Sequence, residues 1–378
     1  DVSVEWFAYY KLPDINSHAS PLVQRGEGFL YMDKCSPSFE LSSASILSGN
    51  HPLAHTMEAV RRARLEEPDD FFHIFYNDKH PSGYSAGSKG HTKGIVACDA
   101  VNCVWILHSV PGFADPLDDL LRYYRYPDSG LRNGQHVFCA TFGKEDFLEN
   151  LGENFFLVEP SIYSSSSPQA ILDRYPFWRL VLEGRSRTVQ EARDGEAIRK
   201  ATQVAAINGT LFSHFAKNEN WRYSPNVSGT DLYQDMVSLE LQSDLFVSTW
   251  LNGVSTDLPS GCSGNPFEVV NSRRESPSGV EFLNSKDHSK WAISRREEEA
   301  FVCFADNNRQ ESQGRRGGGA LCFANPCVWR EYRNAVHTIE LCNGGSGEPG
   351  PLSQLPPVEA LAIAAAKQHA KRTEDTLE

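Results

Sequence analysis

Two short segments carry the residue types that phosphoryl chemistry needs. Lys89-Gly90-His91-Thr92-Lys93-Gly94 and Lys286-Asp287-His288-Ser289-Lys290-Trp291 each contain His-x-Lys. On an extended strand, residues i and i+2 project from one face. Each motif therefore presents an imidazole and an ammonium side by side. The ammonium can hold a phosphate oxygen while the imidazole reaches phosphorus or a leaving oxygen. A lone His-x-Lys is a frequent chance match and is more often solvated than catalytic. Two of them, one in each half and each leading into an apolar strand, are far more specific. If the halves pack about a pseudo-twofold axis, both pairs converge on one phosphodiester.

The elements that must position these motifs are legible as strand signals broken by turns. Residues 4–10 are aromatic and β-prone and stop at Leu12-Pro13-Asp14. Further strands are expected over 28–32, 71–77 and 136–142, with a hairpin of 94–98 and 103–110 turning at Asp99-Ala100-Val101-Asn102. Residues 55–65 read as a short helix with basic residues toward its C-terminal end. Ser164-Ser165-Ser166-Ser167-Pro168 reads as the main internal breaker. Beyond it, 231–247 has a helical pattern with Leu232, Met236, Leu239 and Leu245 as core positions, and strands are expected over 280–283, 291–293, 301–304 and 319–323. The expected organisation is two mixed α/β halves, 1–165 and 166–342, each carrying one His-x-Lys. A Gly/Pro-rich linker and tail follow over 343–378, with a polar-ended helix at 358–370.

Length and composition set bounds. A chain of 378 residues allows two or three domains, or one large duplicated one. With 40% hydrophobic, 11% aromatic and 22% charged residues, global disorder is excluded. No run of about 18 apolar residues occurs, so no transmembrane helix is expected. The charge balance is 36 − 49 = −13 with histidine neutral, a poor composition for a nucleic-acid binder at neutral pH. Protonating all 12 histidines brings it to −13 + 12 = −1, and carboxylates begin to titrate near pH ~5. A polyanionic ligand thus suits an acidic compartment and a locally basic cleft. Nine cysteines occur, and the spacings Cys98-x4-Cys103 and Cys322-x4-Cys327 are wider than the usual zinc pair. Disulfides explain several of them, and the odd count leaves at least one thiol without an internal partner. The sequons at Asn208 and Asn226 add to the case for a secretory route. The start at Asp1, without methionine or an apolar leader, fits a processed protein.

Further stretches join the two motifs: Trp6-Phe7, Tyr10-Lys11-Leu12-Pro13, His108-Ser109-Val110-Pro111-Gly112-Phe113, Phe215-Ala216-Lys217, Asp306-Asn307-Asn308-Arg309 and Arg315-Arg316-Gly317-Gly318-Gly319. In this order, over roughly residues 4–342, the chain resembles deoxyribonuclease II, the acid DNases of the phospholipase D-like superfamily. The resemblance implies an α/β, phospholipase D-like fold: two pseudo-repeated halves packed as a pseudo-dimer around one active site. It also implies cofactor-free, metal-independent endonucleolytic hydrolysis of DNA at acidic pH, leaving 3′-phosphate and 5′-hydroxyl ends through a phosphohistidine.

On this basis His91 is the expected nucleophile and His288 the general acid, with Lys93 and Lys290 stabilising transition-state charge. At pH ~5 an unperturbed histidine is only roughly 3% neutral. The lysines must therefore depress the nucleophile while a carboxylate keeps the acid protonated. His108, Asp99, Asp306 and Asn308 are the expected supporting residues. Asp99 falls one position later than the superfamily's usual acidic residue. Arg315, Arg316 and the three glycines after them are a candidate phosphate-binding nest. The resemblance implies disulfides Cys262–Cys342 and Cys303–Cys322, and a lysosomal or secreted setting. It pairs the cysteine matching Cys139 with one near the mature N-terminus; no cysteine precedes Cys35 here, and Cys139 stays unassigned. DNA contact would run through the phosphate backbone without sequence preference. Two other readings stay open: a phospholipase D-like phosphodiesterase acting on another substrate, and a catalytically silent DNA-binding or venom-type homologue.

Overall fold

The computed structural model describes residues 3–117, 124–252, 256–262, 265–342 and 344–350. The helix expected at 358–370 lies outside the described residues.

Two β-sheets dominate. The first holds β1 (Trp6–Lys11), β2 (Phe29–Asp33), β3 (Glu40–Leu41), β4 (Phe72–Asn77), β5 (Lys93–Cys98), β6 (Asn102–His108), β7 (Gln135–Gly143) and β8 (Ile162–Ser166). Its strand order is β3-β2-β1-β7-β6-β5-β4-β8. The second holds β9 (Arg199–Ala205), β10 (Leu211–Lys217), β11 (Leu245–Ser248), β12 (Val269–Glu275), β13 (Phe282–Leu283), β14 (Trp291–Ser294), β15 (Phe301–Ala305), β16 (Gly318–Ala324), β17 (Val336–Glu340) and β18 (Ser346–Gly347). Its order is β18-β17-β12-β11-β14-β15-β16-β10-β9, with β13 beside β12.

The five central strands have the same antiparallel wiring in both sheets: β1-β7-β6-β5-β4 in one and β10-β16-β15-β14-β11 in the other. The registers also match. Lys11 stands opposite Gln135, and Lys217 opposite Gly318.

The sheets pack face to face because their inner faces are the aromatic ones. Phe138 of β7 stacks on Phe304 of β15 at 4.4 Å between centroids, and Trp6 of β1 meets Phe323 of β16 at 5.5 Å. The outer face of the first sheet is covered by the helix Pro52–Glu66, whose apolar residues Leu53, Met57 and Val60 join Phe7, Tyr9 and Ile95. The outer face of the second is covered by the helical turns Tyr233–Val237 and Ser238–Leu241.

Two expectations are corrected. The helical pattern of 231–247 ends early: Gln242 takes a left-handed conformation (φ 52°), and the chain turns into β11 at Leu245. The apolar residues Leu245, Phe246 and Val247 are buried by sheet packing, which a helical periodicity cannot distinguish from helix burial. The serine run is not a break either. Ser164, Ser165 and Ser166 form most of β8 and pair with Phe75, Ile74 and His73 at the sheet edge. An edge strand tolerates polar side chains, and the Ser164 hydroxyl bonds the buried His73 ring (3.2 Å).

Three disulfides brace the halves. Cys98–Cys103 and Cys303–Cys322 join directly opposed residues of neighbouring strands, and Cys262–Cys342 closes a separation of 80 residues. Cys35, Cys139 and Cys327 are free. Asn208 and Asn226 are both exposed.

Candidate active site

The two His-x-Lys motifs lead into equivalent strands of the two sheets. Lys93 is the first residue of β5, and Lys290 immediately precedes β14. Their charges act on each other's imidazoles: Lys290 as well as Lys93 disfavours protonation of His91, and Lys93 as well as Lys290 disfavours it at His288. The structure therefore brings all four residues into one cationic site, on a chain whose formal net charge is −13.

Each motif is gripped by backbone from the opposite half. His91 N–H donates to the Gly317 carbonyl, and His288 N–H donates to the Gly134 carbonyl, both at 2.9 Å. Glycine is required at both carbonyls. A Cβ on Gly317 would lie 2.5 Å from the Val158 carbonyl oxygen, and one on Gly134 would lie 2.5 Å from Asp287 Oδ1. Lys290 N–H donates to His136 Nδ1 (3.0 Å), again across the halves.

The two imidazoles have different environments. His91 Nδ1 lies 2.7 Å from the Asp306 main-chain carbonyl. A carbonyl only accepts, so Nδ1 carries the proton and the neutral ring keeps its lone pair on Nε2. That nitrogen lies 3.8 Å from Asp78 Oδ2. Asp78 also pairs with Lys93, and Arg316 Nη2 donates to it at 3.1 Å. Burial acts to raise the Asp78 carboxyl, but Lys93, His91 and Arg316 overcome it and hold the group well below the usual carboxylate range. Burial, reinforced by Lys93, pushes His91 well below an ordinary histidine, with Asp78 opposing.

His288 has an indole where His91 has a carboxylate. Trp250 packs on its ring with centroids 4.2 Å apart. Trp250 and Asp78 occupy matching positions, two residues past Ser248 and Tyr76, which pair with Trp291 and Gly94 respectively. Gln135 Nε2 lies 3.5 Å from His288 Nδ1, and the Gln135 amide oxygen is oriented by Ser109 Oγ (2.6 Å). Nδ1 therefore accepts, which puts the proton of the neutral ring on Nε2. That nitrogen is buried without a protein partner. Burial, with Lys290, Lys93, Lys11 and Lys79 acting alongside it, pushes His288 down to about 3. Burial likewise pushes Lys290 down to about 7, and its Nζ donates to the His288 carbonyl at 2.7 Å.

The supporting residues divide. The buried Asp306 carboxyl accepts from Gly319 N–H (2.9 Å) and from the Lys93 backbone, while its carbonyl holds His91. Burial pushes it up to about 7. His108 is buried near Lys93; its Nδ1 accepts from Val110 N–H (3.2 Å), and burial pushes it down to about 3. Asn308 donates to Gln310 at 3.4 Å rather than to a motif residue. Asp99 is not brought to the site. It follows the far end of β5 and closes the hairpin turn, where its carboxylate accepts from Val101 and Asn102 N–H, both at 2.7 Å. The arginines also separate. Arg315 is exposed, while Arg316 turns inward to Asp78 and to the Lys89 and Gly90 carbonyls (2.9 and 3.1 Å).

Asp78, Trp250, Gln135 and His136 were not anticipated. Each sits at or just beyond a strand end, with no partner nearby in sequence. The one available signal was Asp78-Lys79-His80, a charged cluster directly after an apolar strand. Among the described residues no group of three or more His, Cys, Asp or Glu side chains is placed to hold a metal ion. No described helix is long and apolar enough to cross a membrane.

Comparison with known proteins places the chain in a family. The family model for deoxyribonuclease II matches residues 1–342. Plancitoxin-1 of Acanthaster planci is 32% identical over 342 residues, covering 90% of each chain. Deoxyribonuclease-2-alpha of Sus scrofa is 29% identical over 346 residues, covering 90% of this chain and 88% of that one. Deoxyribonuclease-2-beta of Homo sapiens is 28% identical over 343 residues, covering 90% and 89%. The chain belongs to the deoxyribonuclease II family of nucleases.

Proposed function

We propose that the chain is an acid endodeoxyribonuclease that cleaves DNA by a two-histidine phosphoryl transfer, without a metal or cofactor in any step. The observation that carries this is the different setting of the two imidazoles: His91 Nδ1 is held 2.7 Å from the Asp306 carbonyl, which leaves Nε2 to attack, while His288 Nε2 has no protein partner and is left to serve the leaving oxygen.

In the first step His91 Nε2 attacks phosphorus, the P–O5′ bond breaks, and the leaving O5′ takes the Nε2 proton of His288 in its doubly protonated, imidazolium form, which leaves a neutral ring. The product is a covalent phosphoramidate between His91 and the 3′ side of the DNA. In the second step water attacks phosphorus and gives its proton to His288, and the P–N bond breaks. The ends are then a 5′-hydroxyl and a 3′-phosphate. Lys93 and Lys290 stabilise charge on the non-bridging oxygens. An arriving phosphodiester supplies the negative charge that His288 lacks in the free protein, which raises its proton affinity where an acid is needed.

Acidic conditions suit this site. Asp306, raised to about 7, is then neutral, and Lys290, lowered to about 7, is charged. A lysosomal or secreted setting fits the three disulfides and the exposed sequons. The matched wiring of the five central strands and the matched registers support a phospholipase D-like pseudo-dimer, with halves 1–165 and 166–342 meeting at the site. DNA is gripped through its phosphates, so cleavage has weak sequence preference and affinity falls steeply with salt.

Plasmid nicking at pH ~5 in excess EDTA tests the reading. The wild type should cut and leave 3′-phosphates, and His91→Ala and His288→Ala should each lose at least ~10³-fold. Cleavage that EDTA abolishes, or full activity in either variant, would overturn it.

A further inference from the structure

Two buried lysines outside the His-x-Lys motifs occupy matching places. Lys11 ends β1 and Lys217 ends β10, the equivalent strands of the two sheets, and they are 0% and 1% exposed. Lys11 Nζ donates to the Leu131 and Asn133 carbonyls, the latter at 2.8 Å. Lys217 Nζ donates to the Gln313 and Arg316 carbonyls at 3.0 and 2.6 Å. Register aligns the two loops. Lys11 faces Gln135 and Lys217 faces Gly318, so Gly134 and Gly317 are the equivalent residues just before them. Asn133 and Arg316, whose carbonyls the lysines hold, are then equivalent too. Gly134 and Gly317 are the residues whose carbonyls grip His288 and His91.

We propose that Lys11 and Lys217 are crossed positioning residues: each ammonium fixes the loop of its own half that holds the catalytic histidine of the other half. Lys11 sets His288 through loop 131–134, and Lys217 sets His91 through loop 313–317.

A buried ammonium aimed at main-chain carbonyls is the apt device. Those carbonyls lie in loops that run into β7 and β16, and the buried ammonium gives them a fixed partner in place of exchanging water. Lysine carries three donors on one atom, enough to draw two carbonyls of one loop together. Burial pushes Lys11 down to about 7 and Lys217 down to about 8, so both keep their charge and all three donors at acidic pH. A histidine displaced by even a fraction of an ångström loses its line to phosphorus or to the leaving oxygen.

The crossing gives a signature that loss of general stability lacks. In ¹⁵N-histidine spectra of the full chain, Lys11→Met should move the His288 ring signals and leave those of His91 in place. Lys217→Met should do the reverse. Each variant should lower kcat about 10- to 100-fold with little change in KM. Should either fail to fold, Lys11→Gln and Lys217→Gln, which keep two N–H donors, are read in the same spectra. The inference rests on the two-histidine reading, but the spectra separate the two. If both rings respond equally to both variants, or neither responds, the crossed positioning is overturned whatever the chemistry. If the crossing appears but His91→Ala remains active, positioning stands and the catalytic reading fails.

Rate measurements then sort the pair. DNA with a bridging 5′-sulfur has a leaving group that needs no proton. It should restore the first step of Lys11→Met to within about threefold of wild type, because its defect lies at the acid. It should not restore Lys217→Met, whose defect lies at the nucleophile. Equal restoration of both would contradict the crossed assignment.

Discussion

The main-chain carbonyl of Asp306 lies 2.7 Å from His91 Nδ1, while the side chain of the same residue accepts from the backbone of Lys93. One residue of the second half thus sets the tautomer of the first motif's imidazole and anchors its lysine. Because the tautomer is set by a backbone atom, substitution of the Asp306 side chain should leave it intact and disturb the lysine instead.

Asp306→Asn should separate chemistry from stability. The folded carboxyl is raised to about 7 by burial, against about 3.9 in an unfolded chain. The folded state then holds a proton that the unfolded state has lost, so stability falls as pH rises from about 4 to about 7, by up to about 4 kcal/mol in all. Asparagine never ionises. Urea unfolding should show the variant gaining on the wild type across that window, with no further gain above pH ~7.5. A constant difference from pH ~4 to ~8 would contradict the raised carboxyl.

Asp78 is the counter-charge of the first motif. Asp78→Asn leaves Lys93 and Arg316 without their shared partner and removes the group that favours protonation of His91. The expected result is a kcat loss of about 10²-fold, with KM for DNA unchanged within about threefold. A large rise in KM instead would mean that Asp78 serves binding.

Trp250 shields His288. Replacing it with alanine hydrates the imidazole, and since burial leads the depression to about 3, the ring should titrate closer to ~6.5. The histidine C2–H resonance followed from pH ~3 to ~8 reads this directly. An unmoved titration would assign the depression to the four lysines alone.

The disulfides should differ in worth. Cys262–Cys342 restrains a separation of 80 residues, against 5 for Cys98–Cys103. By loop-closure entropy, removing the long one costs about 4 kcal/mol and the short one markedly less. Urea unfolding of Cys262→Ser/Cys342→Ser and Cys98→Ser/Cys103→Ser checks the order.

Some of this site was legible in the chain, for definite reasons. His91, Lys93, His288 and Lys290 announce themselves because their relation is local: two residues apart on a strand entry, repeated once. The hairpin around Asp99 and the strands at 72–77 and 135–143 were legible from alternation and turn residues. Asp99 itself was misleading, since its distance along the chain from Lys93 suggested partnership, yet a six-residue strand carries it to the opposite sheet end. Asp78, Trp250, Gln135 and His136 could not be read, because their partners arrive from other strands and, for Gln135 and His136, from the other half. The same holds for Lys11 and Lys217. They lie within quoted motifs, but only the β1–β7 and β10–β16 registers show what they hold.

The central claim is that His91 attacks phosphorus and His288 serves the leaving group and the water. Full-length His288→Ala, incubated with DNA carrying a single bridging 5′-sulfur linkage, isolates it. The sulfur leaves without an acid, and the absent base slows hydrolysis of the adduct. The account predicts a DNA–protein adduct, stable on alkaline quench, whose peptide mass maps it to His91 Nε2. An adduct on His288 in the reciprocal His91→Ala experiment, with none on His91, would contradict the account.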